Sequence, residues 1–287
     1  MGNIAVLGAT GVYARHLIPR LAEDGHVVTA LVRSADRAAT ARALGAEVRI
    51  ADIFDADSLT LGLAGAELCI NLATALPGPS GRGSFADNDR LRRDGVPVLL
   101  MALEQAGVPR LIQQSIAMIA SSATPTDGTI SPDPQGDGPA ASAFRAALEM
   151  ERAVQASATD WMILRGGLFY GPGTGFDETW FAQAATGKLT LPGDGSEIVS
   201  LIHISDMAAA TARAVTRWHS RSTIAITDDA PVSWHDLFTH IATLAGGPTP
   251  QVGGPPRFPS FPVSNARARD LLGWRPHFAS YRSGLAR

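Results

Sequence analysis

The chain has 287 residues, enough for one large domain or two modest ones, and its hydrophobic content of 45% can bury a sizeable core. A net charge of -3 leaves no basic footprint for nucleic acid, and a single cysteine, Cys69, excludes an internal disulfide framework. No charged lead and no apolar run of about 18 residues precedes the first strand, so a cytoplasmic protein with no membrane partner is expected.

Residues 3–7 read as a short apolar strand ending at Gly8, followed by a helix through Leu17, Ile18 and Leu21 that closes at Gly25. A strand at 27–32, a helix at 36–44, a strand at 47–51, a helix from Ala56 and a strand at 67–72 follow. Cys69 lies in that last apolar run and reads as a small buried hydrophobe. A longer helix spans about 89–105, and Pro97 inside it should kink or restart it. Then come a strand at 111–115, a helix at 141–156 and a sixth strand at 161–165. Strands alternate with helices and are mostly continuous apolar runs, which predicts an α/β fold with a doubly wound parallel sheet of the Rossmann kind. Ligands of such sheets bind beyond the carboxyl ends of the strands.

Two segments, 75–85 and 121–139, are rich in Gly, Pro, Ser and Asp and read as loops flanking that mouth, either as a lid or as plain connections. Beyond Arg165 the chain is irregular and aromatic-rich. The expected organisation is therefore a dinucleotide-binding domain over 1–165 and a smaller substrate-binding lobe over 166–287. Within the lobe, 198–228 partly returns to the core through strands at 199–202 and 223–226.

The first loop carries chemistry. Gly8, Ala9, Thr10, Gly11, Val12, Tyr13 and Ala14 follow a strand and open a helix, the context a dinucleotide loop needs. Gly8 permits the tight turn, Gly11 lets backbone approach a pyrophosphate, and Ala14 is small enough for close helix–strand packing. The second strand ends in Arg33 and Ser34 with Arg37 close behind, where an NAD site usually has an acid. A guanidinium attracts a 2′-phosphate, so NADP(H) is expected rather than NAD(H). Asp52 and Ile53 suit the adenine edge. Leu72, Ala73 and Thr74 pass under the phosphates and ribose, and Ser115, Gly167, Leu168 and Phe169 complete the cofactor contacts.

With these motifs in order, the chain resembles the extended short-chain dehydrogenase/reductase family, in its epimerase/dehydratase branch. Beyond the first loop, the resemblance is carried by 164–173, with Gly166 where the family usually has Pro, by Ile202, His203 and Asp206, and by Leu272, Gly273, Trp274 and Pro276. It implies a bound nicotinamide cofactor, a C-terminal substrate lobe and a homodimer through the helices around 89–106 and 141–156. The family's catalytic residues do not carry over. Ile116 falls on its Ser or Thr, and Ala143 and Ala147 fall on its Tyr and Lys. The only lysine is Lys188, and the tyrosines are Tyr13, Tyr170 and Tyr281.

The loss narrows the resemblance to tailoring ketoreductases of aromatic polyketide biosynthesis, acting on polycyclic ketones of the angucyclinone type in antibiotic pathways. Losing a positioned acid costs about 10²–10⁴-fold, or roughly 3–5 kcal/mol, so NADPH-dependent reduction survives if the proton comes from elsewhere. A phenol beside the carbonyl is the expected source. Ile116, Met118, Ala143 and Ala147 are expected to form an apolar wall for an aromatic ketone, with Tyr170, Phe176 and Trp180 adding aromatic surface. Ser115 is the remaining catalytic candidate, a poor acid; Tyr170 would serve only if its loop turned inward. His203 reads as a hydrogen-bonded structural histidine, and no metal-ligand spacing occurs. Asp228 and Asp229 read as helix-entry residues. The competing expectations are a non-catalytic NADP(H)-sensing regulator, and an isomerase or cyclase using NADP(H) as scaffold.

Overall fold

The computed structural model describes residues 2–77, 83–255 and 258–285. Part of the first expected loop, 78–82, lies outside the described residues. In chain order the elements are β1 (Asn3–Leu7), α1 (Val12–Glu23), β2 (Val27–Val32), α2 (Ala38–Ala43), β3 (Glu47–Ile50), α3 (Ala56–Leu63), β4 (Leu68–Asn71), α4 (Phe85–Arg90), α5 (Val96–Ala106), β5 (Arg110–Ile116), α6 (Pro139–Ala156) and β6 (Asp160–Gly166). They continue with β7 (Leu168–Tyr170), α7 (Phe176–Ala185), β8 (Thr190–Pro192), β9 (Ile198–Val199), β10 (Leu201–His203), α8 (Ile204–Thr216), β11 (Ser222–Ile226), β12 (Val232–Ser233), α9 (Trp234–Leu244), β13 (Gln251–Gly254), α10 (Ala266–Leu272) and α11 (Tyr281–Gly284).

The central feature is a seven-stranded parallel sheet in the order β11-β6-β5-β4-β1-β2-β3. The reversal of strand order beside β1 is the topological switch point at which ligands bind in doubly wound sheets. The strands there are buried on both faces: Ile4 to Leu7 and Leu68 to Asn71 are all inaccessible or nearly so. This is why they read as unbroken apolar runs.

The chain divides into two compact units. The first comprises 1–115, 134–164 and 211–223; the second comprises 116–133, 165–210 and 224–287. The core of the first is aliphatic, with Leu59, Leu63, Cys69, Leu99, Leu103 and Ile163 fully buried. The core of the second is aromatic, built on Trp180, Trp234, Phe238 and Phe261.

Two expected elements are subdivided. The 89–105 helix is α4 and α5 joined by a turn of π-helix over Leu91–Gly95. Pro97 stands in the first turn of α5, directly after the π-helical turn, so the irregularity expected of a proline inside a helix falls there. The 199–202 strand is two strands, β9 and β10, split at Ser200. The Ser200 hydroxyl accepts from Val263 N–H at 2.8 Å and donates to the Phe261 carbonyl at 3.0 Å, holding that residue out of a single ladder.

Candidate dinucleotide site and the faces around it

The first unit positions the loop after β1. Gly8 has φ +73, and a Cβ there would lie 2.6 Å from the Leu72 carbonyl carbon and 2.7 Å from Ala73 N. The ends of β1 and β4 thus cross at a distance only glycine permits. Gly11 N–H donates to the Gly8 carbonyl at 3.0 Å, closing the turn, and a Cβ on Gly11 would sit 3.2 Å from that same oxygen. Gly11 is also the N-cap of α1 and brings no side-chain cap; the first turn of α1 carries no acid. Its leading N–H groups and positive dipole end therefore suit an anion. Ala14 is fully buried where α1 packs.

These features fit a dinucleotide: a cradle that a Cβ would fill, at an uncapped helix start. Thr10 and Val12 are partly exposed on this turn. Tyr13 is a correction to the expected contacts. Its ring is buried, and its hydroxyl is hydrogen-bonded to Thr211 on α8, so its side chain serves packing and only its backbone remains for a ligand.

At the end of β2, Val32 is buried while Arg33 and Ser34 are exposed and Arg37 is half-buried on the following 3-10 turn. After β3, Asp52 Oδ1 accepts from Phe54 N–H at 3.0 Å, which shapes that corner. The side chains of Ile53 and Leu72 are buried, so these two offer backbone rather than side chain. Ala73 is half-buried and Thr74 exposed. Ser115, at the end of β5, is completely buried, and its hydroxyl has no hydrogen-bond partner among the described residues.

Sequence reasoning missed a buried amide relay beneath this rim. Asn71 Nδ2 donates to Gln113 Oε1 at 2.9 Å, Gln113 Nε2 to the Gln114 carbonyl at 2.8 Å, and Gln114 Nε2 to the Ser115 carbonyl at 2.8 Å. Asn71 Oδ1 also accepts from Ala73 N–H. The available signal was three amides closing two otherwise apolar strands.

On α6, Ala143 and Ala147 are both buried. Arg92, on the π-helical turn, is buried too, and its Nη1 donates to the Ala143 carbonyl at 3.0 Å. Burial pushes the Arg92 guanidinium down to about 10, against the opposing pull of Asp89 and Glu151.

The second unit holds the other expected residues. Ile116, Met118 and Phe169 are partly exposed, and Phe176 is exposed. Gly167 is required small, since a Cβ there would meet the Ser200 carbonyl oxygen at 2.7 Å, whereas a Cβ on Gly166 would meet the edge of the Phe169 ring at 2.5 Å, a side chain that can turn aside. Leu168 is buried. Tyr170 and Trp180 are corrections. Tyr170 is fully buried, its hydroxyl donates to the Ser280 carbonyl at 3.4 Å, and desolvation raises it far above an ordinary phenol. Trp180 is packed among Trp234 and Phe238, with ring centroids at 6.2 and 5.5 Å. Neither is surface for a substrate.

His203 contacts Ser205 Oγ through Nδ1 at 2.7 Å, in keeping with a structural histidine. Asp228 is a further correction. Ser233, not Asp228, caps α9, accepting from Asp236 N–H, and Asp228 is buried. Among the described residues no group of His, Cys, Asp and Glu is placed to hold a metal, and no helix is long and apolar enough to cross a membrane.

A family model described as NAD(P)H-binding matches residues 8–217. The chain belongs to the NAD(P)H-binding family. It is 34% identical to a 3-diazoavenalumate denitrifying reductase of a Streptomyces species, over 99% of each chain. It is 24% identical to a 4-hydroxy-2-methyl-3-oxo-4-farnesyl-3,4-dihydroquinoline-1-oxide ketoreductase of Stigmatella aurantiaca, over 94% of this chain and 80% of that one. Among solved structures it is similar to dTDP-glucose 4,6-dehydratase of Streptomyces venezuelae with NAD bound (TM-score 0.79, 18% identity, 99% and 94% covered). It is likewise similar to UDP-glucose 4-epimerase of Thermotoga maritima (TM-score 0.76, 20% identity, 99% and 96% covered). These structures share the fold. Family and reductase relatives together make the chain an NAD(P)-binding oxidoreductase.

Proposed function

We propose that the protein is an NADPH-dependent reductase that delivers hydride to a small aromatic metabolite and supplies no proton of its own. What supports this reading is α6, where Ala143 and Ala147 are buried and where the sequence resemblance aligns them with the family's Tyr and Lys. The other phenols offer no substitute. Tyr13 is bonded to Thr211, Tyr170 to Ser280, and Tyr281 is buried against His240. Lys188, the only lysine, is exposed beyond the end of α7.

A nicotinamide dinucleotide held by its pyrophosphate at the β1–α1 turn would supply the hydride. Gly8 and Gly11 admit its pyrophosphate, and Arg33 with Arg37 favours the 2′-phosphate that distinguishes NADP. Ser115, without a hydrogen-bond partner among the described residues, offers one hydroxyl at the end of β5. On α6, Ala143 and Ala147 present no acid, and on the second unit Ile116, Met118 and Phe176 present apolar surface for a flat ring. The substrate class that fits is a polycyclic aromatic polyketide ketone of the angucyclinone type, in antibiotic biosynthesis. A phenol beside the carbonyl then protonates the forming alkoxide, and water restores the phenolate.

The full-length similarity to a denitrifying reductase favours a second substrate class by the same logic. An aryl diazonium is already cationic. Hydride on its terminal nitrogen gives an aryl diazene, which loses dinitrogen as its hydrogen passes to the ring carbon. No protein acid is needed.

The deciding experiment follows NADPH oxidation with aromatic ketones that do or do not carry a neighbouring phenol, and with an aryl diazonium acid. Turnover is expected only with phenol-bearing ketones or with the diazonium, and Ala143→Tyr should not raise it. Tight NADPH binding without oxidation across the panel, or a large gain in Ala143→Tyr, overturns the reading.

A further inference from the structure

The first unit holds a buried cation whose donors are not used up. Arg92 stands on the π-helical turn between α4 and α5, a rare geometry that recurs at functional sites, and is 6% exposed. Its Nη1 donates to the Ala143 carbonyl at 3.0 Å. Its Nε and Nη2 have no hydrogen-bond partner among the described residues, yet neither is sealed from solvent, so the accessible part of the residue includes these donors.

No carboxylate among the described residues pairs with Arg92. Asp89, on α4, accepts from Ser142 Oγ at 2.8 Å and lies 4.0 Å from Arg93 Nη1, while Glu149, on α6, pairs with Arg93 at 2.6 Å. Asp89 and Glu151 attract the Arg92 guanidinium from beyond ion-pair reach, which keeps the charge in the fold without occupying its donors. A buried guanidinium with donors left over is costly, and an anion reaching those donors offsets the cost.

The carbonyl that Arg92 meets fixes where the charge lies. Residues 143, 147 and 151 are four apart and share one face of α6, and a helical carbonyl points toward the residue four further on. Arg92 touches this face at Ala143 and is drawn by Glu151. Its charge therefore stands beside the stretch where Ala143 and Ala147 bring no polar side chain.

We propose that Arg92 is the anion-binding residue of the substrate site, its open N–H donors receiving the phenolate left when the substrate's phenol protonates the alkoxide. This rests on the reductase reading. Hydride from NADPH adds to the carbonyl carbon, and the C=O electron pair moves onto oxygen. The neighbouring O–H bond breaks as its proton passes to that oxygen, leaving a phenolate and NADP⁺ until solvent returns a proton. Arg92 gives no proton; it stabilises the anion.

The probe is 1,8-dihydroxyanthraquinone, whose phenols sit beside a carbonyl and change colour on ionising. It is bound to the full chain with saturating NADP⁺, so that no hydride can move, and titrated by absorbance. The bound dye should ionise about one pH unit or more below the free dye, a change of about tenfold in the ionisation constant. Arg92→Met should abolish that shift, and Arg92→Lys, which keeps the charge but not the planar fork, should retain about half of it. An arginine needed only for folding would leave the ionisation of the bound dye unmoved. Absence of binding or of a shift in the unaltered protein overturns the proposal, as does a shift that survives in Arg92→Met or vanishes in Arg92→Lys. The reductase reading fails separately, through absence of NADPH oxidation with every ketone.

Discussion

On the proposed NADPH reading, a single residue, Arg33, decides the coenzyme. Arg33 is exposed at the end of β2, free of the burial that would hold it to a structural duty. Replacing it with Asp should weaken NADPH binding by about 10–100-fold while leaving NADH within a few-fold, since a charge-assisted hydrogen bond is worth about 1.5–3 kcal/mol. Coenzyme fluorescence titration checks this, and equal losses for both coenzymes would remove Arg33 from the 2′-phosphate. The loop glycines were legible because glycine there has one physical meaning. The aromatic residues were not: Tyr170 and Trp180 look the same in a sequence whether they line a ligand or fill a core, and here they fill a core. Tyr13 likewise sits in a binding motif yet points its hydroxyl at α8.

At the scale of elements, alternation of strand and helix made the sheet legible almost throughout. What stayed hidden depends on side chains reaching far along the chain. Arg165, at the end of β6, is 1% exposed and donates to the Gly128 and Ile130 carbonyls at 2.7 Å each and to Ser131 Oγ at 2.6 Å. Gly128 has φ +76, and a Cβ there would meet the Ala225 Cβ at 2.5 Å. The 128–131 stretch is therefore fastened at several points, which no local composition of Gly, Pro and Ser could announce. Arg165→Met should cost about 1–3 kcal/mol, because it strands the buried Gly128 carbonyl. Urea unfolding measures this; a loss under about 1 kcal/mol would mean the stretch holds without its anchor.

For the whole molecule, Asp228 sets a pH dependence of stability. Its folded pKa of about 8 lies well above the ordinary 3.8. Between those values the folded chain holds a proton that the unfolded chain releases, so stability falls as pH rises through the window and levels off above it. Asp228→Asn should flatten this slope, gaining on the parent progressively from about pH 5 to pH 8 in urea midpoint. Parallel curves for the two proteins would show that Asp228 is not the source. The sequence showed the acid pair but not this burden, because burial of Asp228 arises from segments distant in the chain.

The buried alanines of α6 carry one more consequence. An enzyme that owns its acid chooses substrates by shape, since any ligand that fits is activated alike. If the acid is left out, fit is no longer sufficient: a snug guest without its own proton or positive charge stays inert. Discrimination then passes from the pocket walls to the reactivity of the guest, and the protein can tolerate a loose grip without losing selectivity.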